Sequence, residues 1–173
     1  MKTIVIYNSQ TGFTKRYAEW IAKAAGADCL ALSEAKKKEL TEYEAIIFGS
    51  WACAGSISKI SWLKRNIDHW ADKKLIAFCV GASPIDAPKI KSALQQNFNE
   101  PELKKVNVFN CPGGFNYEKM SAASKFMMKI FIKALKAKKD QSEEDREMIR
   151  MISSSYDISD RTYIEPILRC LRE

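Results

Sequence analysis

Apolar residues recur along the chain in two rhythms. Ile4-Val5-Ile6-Tyr7, Ala45-Ile46-Ile47-Phe48 and the run from Leu75 to Val80 are unbroken apolar stretches of strand length, the pattern of strands covered on both faces. Between them apolar residues return at helical spacing: Tyr17, Ala18, Ile21 and Ala22; Ile60, Leu63, Ile67 and Trp70; Ile90, Leu94 and Phe98. These rhythms predict strands at 2–7, 28–32, 45–48, 75–80 and 105–110, and helices at 14–25, 58–70 and 86–98. A polar connection over 33–40 has room for one helical turn. Strands alternating with helices predict an α/β domain, its sheet parallel and its helices on both faces. One domain over residues 1–173 is expected at this length.

The pattern changes after the fifth strand. Pro112-Gly113-Gly114-Phe115 leads into a long helical stretch over 119–138. There Phe126, Met127, Ile130, Phe131, Ala134 and Leu135 form an apolar stripe, and Lys125, Lys129, Lys133 and Lys136 run along another face. The stripe either packs on the sheet or is left to cover a ligand or lie on a bilayer. A second helix is expected over 142–152, with Ser142 as cap and Asp145 in its first turn. A last helix over 161–171 should close the sheet with Ile164, Ile167, Leu168 and Leu171 inward.

Candidate chemistry lies in the loops that follow strands one, three and four, because ligands of such sheets sit beyond the carboxyl ends of the strands. The first loop is Ser9-Gln10-Thr11-Gly12-Phe13-Thr14. It offers three hydroxyls in six residues, a glycine that lets backbone approach a ligand, and Thr14 as a cap for the helix that follows. The free N–H groups of that helix make the loop a phosphate holder. The pattern is neither the lysine-bearing Walker loop nor the three-glycine dinucleotide fingerprint. The second loop, Gly49-Ser50-Trp51-Ala52-Cys53-Ala54-Gly55-Ser56, and the third, Gly81-Ala82-Ser83-Pro84, are rich in small residues, so backbone can come close to a flat ligand. Trp51 either stacks on a ring or packs in the core, and Cys53 either touches a ring or is a passive small residue. His69 is expected at the end of the second helix, far from the loops.

The S-x-T-G-x-T pattern after a first strand resembles the FMN-phosphate loop of the flavodoxin family, and the likeness of layout runs over residues 1–112. The resemblance implies a flavodoxin-like, five-stranded sheet of order 2-1-3-4-5 with a helical insertion over 113–152. It implies FMN as a noncovalent cofactor, held by Ser9, Gln10, Thr11, Gly12, Phe13 and Thr14, with Ser50, Trp51, Ala52, Cys53, Ala54, Gly55, Gly81, Ala82 and Ser83 around the ring. The Gly-Gly-aromatic segment followed by a Met/Phe/Ile/Lys-rich helix resembles the flavodoxin-type protoporphyrinogen dehydrogenases, membrane-associated FMN proteins that oxidise protoporphyrinogen IX and reduce a quinone. That implies an FMN-dependent oxidoreductase with a small-molecule hydride donor, a quinone as acceptor and peripheral contact with an anionic membrane. The alternatives are an electron carrier for a protein partner and an NAD(P)H:quinone or flavin reductase. No side chain presents itself as a general acid or base.

Charge changes this picture in one respect. The formal net charge is +7, which favours anionic partners, whereas electron-shuttle flavodoxins are typically acidic. Nucleic acid is not expected, since basic residues are not interleaved with aromatics as a stacking platform needs. Five scattered cysteines and a single histidine point to reduced, buried thiols and not to a zinc site. No apolar run reaches the length of a membrane span and no leader pattern opens the chain, so a cytoplasmic location is expected.

Overall fold

The computed structural model describes residues 1–53, 55–83, 85, 94 and 96–173. The first three apolar runs form the middle of a parallel sheet. Strand β1 (Thr3–Asn8) is followed by helix α1 (Phe13–Ala25), β2 (Asp28–Ala31), the short α2 (Leu32–Ala35) and β3 (Ala45–Cys53). After the two-residue β4 (Ser56–Ile57) come α3 (Ile60–Asn66), β5 (Lys74–Gly81), the short α4 (Glu100–Leu103) and β6 (Val106–Pro112). The order across the sheet is β2-β1-β3-β5-β6, with parallel pairing throughout this path. Counting only these five strands, that is the predicted 2-1-3-4-5.

Alternation along each strand divides the core in two. Ile4, Ile6, Ile46, Phe48, Leu75 and Ala77 face α2 and α3, where they meet Leu32, Ala35, Leu63 and Ile67. Val5, Ile47, Ile76, Phe78 and Val80 face α1 and the C-terminal helix, where they meet Tyr17, Ile21, Ile167 and Leu171. Both faces of the central strands are thus covered, and their runs are apolar at every position for that reason.

Several boundaries differ from expectation. β3 runs to Cys53 and turns back antiparallel through β4, with Ala52 opposite Ile57 and Cys53 opposite Ser56. Gly49 to Cys53, expected in a loop, extend the strand, because β5 pairs with it as far as Trp51. The second helix starts at Ile60, not at 58, behind Lys59 in left-handed backbone at φ 59°. The helix expected over 86–98 falls largely outside the described residues. Helix α4 was not expected; Asn99 caps it by accepting from Glu102 N, and the Glu102 carboxylate accepts in return from Asn99 N at 2.8 Å.

Beyond β6 a short strand β7 (Gly114–Phe115) pairs antiparallel with β8 (Tyr156–Asp157). Between them lie α5 (Ala122–Lys136) and α6 (Glu143–Ile152). Ser142 caps α6 as expected, accepting from Asp145 N at 3.1 Å. The chain closes with a 3-10 turn (Arg161–Ile164) running into α7 (Glu165–Arg172); Ile164, Ile167, Leu168 and Leu171 are buried.

The stripe on α5 does not pack on the sheet. Only Leu135 on this helix is buried, while Phe126 is 64%, Met127 63%, Ile130 49% and Phe131 44% exposed. Leu135, the last residue of the expected stripe, is buried, whereas Ala134 beside it is exposed. Among the described residues no helix is long and apolar enough to cross a membrane.

Candidate functional site

The sheet order reverses between β1 and β3, so the loops that leave these strands diverge and open a crevice at the carboxyl edge. The first loop sits at the amino end of α1. Gly12 is the N-cap, at φ 104°, with no side-chain cap bond. Thr14 therefore does not cap the helix. It lies inside the first turn and is 1% exposed, because Gly12 takes the left-handed corner without steric cost and starts the helix earlier. Arg16 N donates to Gly12 O at 3.0 Å. The amides of Phe13, Thr14 and Lys15 precede the first intrahelical bond and carry the positive end of the dipole.

Ser9 shapes the loop from the other side. Its hydroxyl accepts from Gly12 N at 3.2 Å, which leaves its own proton free to be donated. Gln10 reaches out of the loop, and its Nε2 donates to Ser124 Oγ at 3.0 Å and Ser121 Oγ at 3.2 Å. Ser121 is the N-cap of α5, so the loop is tied to the start of the insertion. Phe13 is buried beneath the guanidinium of Arg16, 5.5 Å from its ring centre.

The second and third stretches are brought beside the first by strand register. Asn8 pairs with Ser50 and Trp51 with Val80. Ser50 is fully buried and its hydroxyl accepts from Asn8 Nδ2 at 3.0 Å; the same amide donates to Ser58 Oγ at 3.3 Å. Trp51 is half-buried within β3, and Ala52 is exposed at the rim. Cys53 ends the strand, Ala54 lies outside the described residues, and Gly55 O accepts from Asn97 Nδ2 at 2.9 Å. Gly81, Ala82 and Ser83 are half-buried at the end of β5. A Cβ on Gly81 would stand 3.9 Å from Ala52 Cβ and 4.0 Å from both Asn110 Oδ1 and Ser83 N. That is van der Waals contact, so the missing side chain leaves room for the edge of a flat ligand. Among the described residues, the Nδ2 of Asn110 is buried without a hydrogen-bond partner.

The sequence reading missed a set of residues that brace these loops. Tyr156 donates to Ala82 O at 2.7 Å. Burial pushes its hydroxyl up to about 12, so it stays a neutral donor. Gly113 N donates to Gly81 O at 2.7 Å. Arg16 bonds both Asp157 and Ser159. Burial raises the Asp157 carboxyl, but hydrogen bonds from Ser159 and Arg16 outweigh it and hold the group below its usual value. Tyr17, pushed upward by burial, donates to Pro112 O and accepts from Asp160 N at 3.1 Å. These partners lie far from the loops in sequence, and only the Gly-Gly-aromatic segment marked their place. Between the brace and the first loop lies a cleft of about 490 Å³, lined by Thr11, Gly12, Lys15, Phe115, Lys119 and Tyr156 among others.

The residues fit a phosphate-bearing flat cofactor: amides and hydroxyls for the phosphate, small residues for the ring. They offer little acid–base or nucleophilic chemistry. Cys79 and Cys111 are buried thiols whose ionisation burial disfavours.

A family model described as "Flavodoxin domain" matches residues 4–143. No curated protein matches the sequence. Among solved structures, the chain is similar to oxidised flavodoxin 2 from Bacillus cereus, at 18% identity and a TM-score of 0.49 over 65% of this chain and 84% of that one. It is similar to the Trp repressor binding protein of Bacillus subtilis, at 18% identity and a TM-score of 0.48 over 72% and 96%. A flavoprotein in complex with FMN from Lactobacillus acidophilus shares 18% identity at a TM-score of 0.44, over 64% and 91%.

Proposed function

The chain belongs to the flavodoxin-domain family, and on that premise we propose that it is an FMN-dependent oxidoreductase. The observation that carries the reading is the loop at the switch point: a left-handed Gly12 that opens the first turn of α1, with the Ser9 and Thr11 hydroxyls beside it. Ser9, Thr11 and the amides of residues 13–15 would bind the phosphate monoester. Gln10 would hold the loop against the insertion, and Thr14 would support it from within the helix. Ser50 to Gly55 and Gly81 to Ser83 would flank the ring, with Trp51 as its aromatic neighbour. FMN, when bound, supplies the electron chemistry. The chain binds it, orients it and shields its ring from water.

The insertion supports a narrower reading. The electron donor would be a reduced organic compound bearing carboxylates, such as protoporphyrinogen IX, and the acceptor a quinone. Lys15 and Lys119 at the cleft suit carboxylates, and Phe115 and Tyr156, stacked at 6.4 Å, give it an aromatic wall. The exposed stripe of α5 beside Lys129, Lys133 and Lys136 suits the anionic surface in which quinones reside. To test this, apoprotein is titrated with FMN, FAD and riboflavin. The FMN form is then reduced anaerobically by a panel of donors and reoxidised by quinones while flavin absorbance is followed. Tight FMN binding with direct turnover of a carboxylated donor is expected. Reduction only in the presence of a reductase protein would make it an electron carrier instead.

A further inference from the structure

Among the described residues, β4 pairs with β3 alone, so its outer edge has no strand beside it. Two peptide groups on that edge are nevertheless bonded, and by one side chain. Asn97 Oδ1 accepts from Ile57 N at 2.8 Å, and Asn97 Nδ2 donates to Gly55 O at 2.9 Å. One residue of a parallel neighbouring strand would make the same pair of bonds, to the residues on either side of its partner. An asparagine amide can stand in for it, because it carries a donor and an acceptor side by side on a short stem.

Asn97 is itself fixed. Its N–H donates to Leu94 O at 3.1 Å, and its carbonyl accepts from Lys64 Nζ at 2.9 Å. Lys64 belongs to α3 and pairs with Glu102 at 3.0 Å, and Glu102 forms the capping box of α4. The next residue in the chain, Phe98, is buried in the core. The clasp thus ties the tip of the β3–β4 hairpin, 40 residues away in sequence, to the body of the fold. The hairpin gains from such a tie. β4 is two residues long, and Gly55 before it stands in left-handed backbone at φ 82°; so short a ribbon is marginal by itself.

The clasped hairpin is the second of the two ring loops. Its first arm ends in Ala52 and Cys53, and Ala52 Cβ would stand 3.9 Å from a Cβ on Gly81, at the border of the third loop. We infer that Asn97 is a positioning residue for the flavin: it holds residues 52–57 along the ring, so that their backbone keeps water from it. The inference rests on the FMN reading above. Asn97 acts through the hairpin and not by touching the ring.

Asn97→Leu removes both bonds at similar size. Asn97→Asp keeps the acceptor for Ile57 N but loses the donor for Gly55 O, and serves where the first variant folds poorly. The readouts, on the full chain, are amide exchange of residues 55–57 in apoprotein, the dissociation constants of FMN and riboflavin, and the midpoint potential of bound FMN. In Asn97→Leu these amides should exchange faster. Both flavins should weaken alike, by about fivefold, the worth of one hydrogen bond. The potential should rise, because water admitted to the ring favours its more electron-rich, reduced form. Asn97→Asp should move every readout in the same direction. Parent-like affinity and potential in a folded variant overturn the assignment and make Asn97 a strut of the hairpin alone. A loss confined to FMN also overturns it, because the clasp would then act at the phosphate. If the parent binds neither flavin, the functional reading fails and this assignment with it, while exchange at 55–57 still reports the clasp.

Discussion

The hydroxyls of the first loop are not equivalent, and the structure separates them. Thr14 is buried inside α1, so replacing it disturbs packing and reports poorly on a ligand. Thr11 lines the open cleft beside Gly12 and is the better probe. A hydrogen bond to a charged phosphate is worth about 1.5–3 kcal/mol. Thr11→Ala should therefore weaken FMN by about tenfold or more and leave riboflavin, which lacks the phosphate, unchanged. Titration of apoprotein with both flavins measures this, and equal losses would place Thr11 at the ring or in the fold. The loop could be read from sequence because its signal is local: three hydroxyls and a glycine between a strand and a helix. The role of Thr14 could not, because the start of α1 depends on Gly12 adopting φ 104°, which composition does not reveal.

At the scale of elements, α5 carries the strongest unspent chemistry. The 15-residue helix contains no acidic residue. It exposes four large apolar side chains, with Lys129, Lys133 and Lys136 alongside. Lys125 is half-buried, and its Nζ donates to Glu118 O at 3.4 Å, so it belongs less to the outer face than its spacing suggested. Near an anionic surface each exposed lysine is worth about 1 kcal/mol, and an apolar face adds a second anchor. Changing the three exposed lysines to glutamine should release the protein from vesicles rich in anionic lipid and flatten the salt dependence of binding, with FMN affinity intact. Cosedimentation that is identical for parent and variant would leave the stripe without a lipid role. The segment that follows carries a pH dependence of its own. Asp157 titrates below its unfolded value, so its bond to Arg16 is fully present above the ordinary carboxylate range near 4 and is lost as pH falls beneath it. Protection of the amides around residues 155–159, taken relative to their intrinsic exchange rate at each pH, should fall on acidification through that range. In Asp157→Asn it should be less dependent on pH.

For the whole molecule, the alternation of unbroken apolar strands with amphipathic helices was enough to give a parallel sheet and its two-sided core, while the strand order, and with it the switch point between β1 and β3, was what the flavodoxin resemblance implied. What the sequence hid are contacts between distant segments. Gln10 meets Ser121 and Ser124, Arg16 meets Asp157, and Tyr156 meets Ala82, at separations of 74 to 141 residues. No periodicity encodes such pairs; they exist because β7 and β8 fold the ends of the insertion back beside β6. The insertion is therefore joined to the loop after β1 at one end and to the loop after β5 at the other, so a flavin held by these two loops would not be independent of it. Tyr156→Phe tests this coupling with little change in packing, since the ring can still stack on Phe115. Losing one buried hydrogen bond costs about 1 kcal/mol, and Ala82 O is left without that donor. If the brace positions the ring loop, FMN and riboflavin should both weaken about fivefold, and amides of residues 81–83 should exchange faster in the holoprotein. A variant that loses stability but binds both flavins as the parent does would make Tyr156 a strut of the insertion alone.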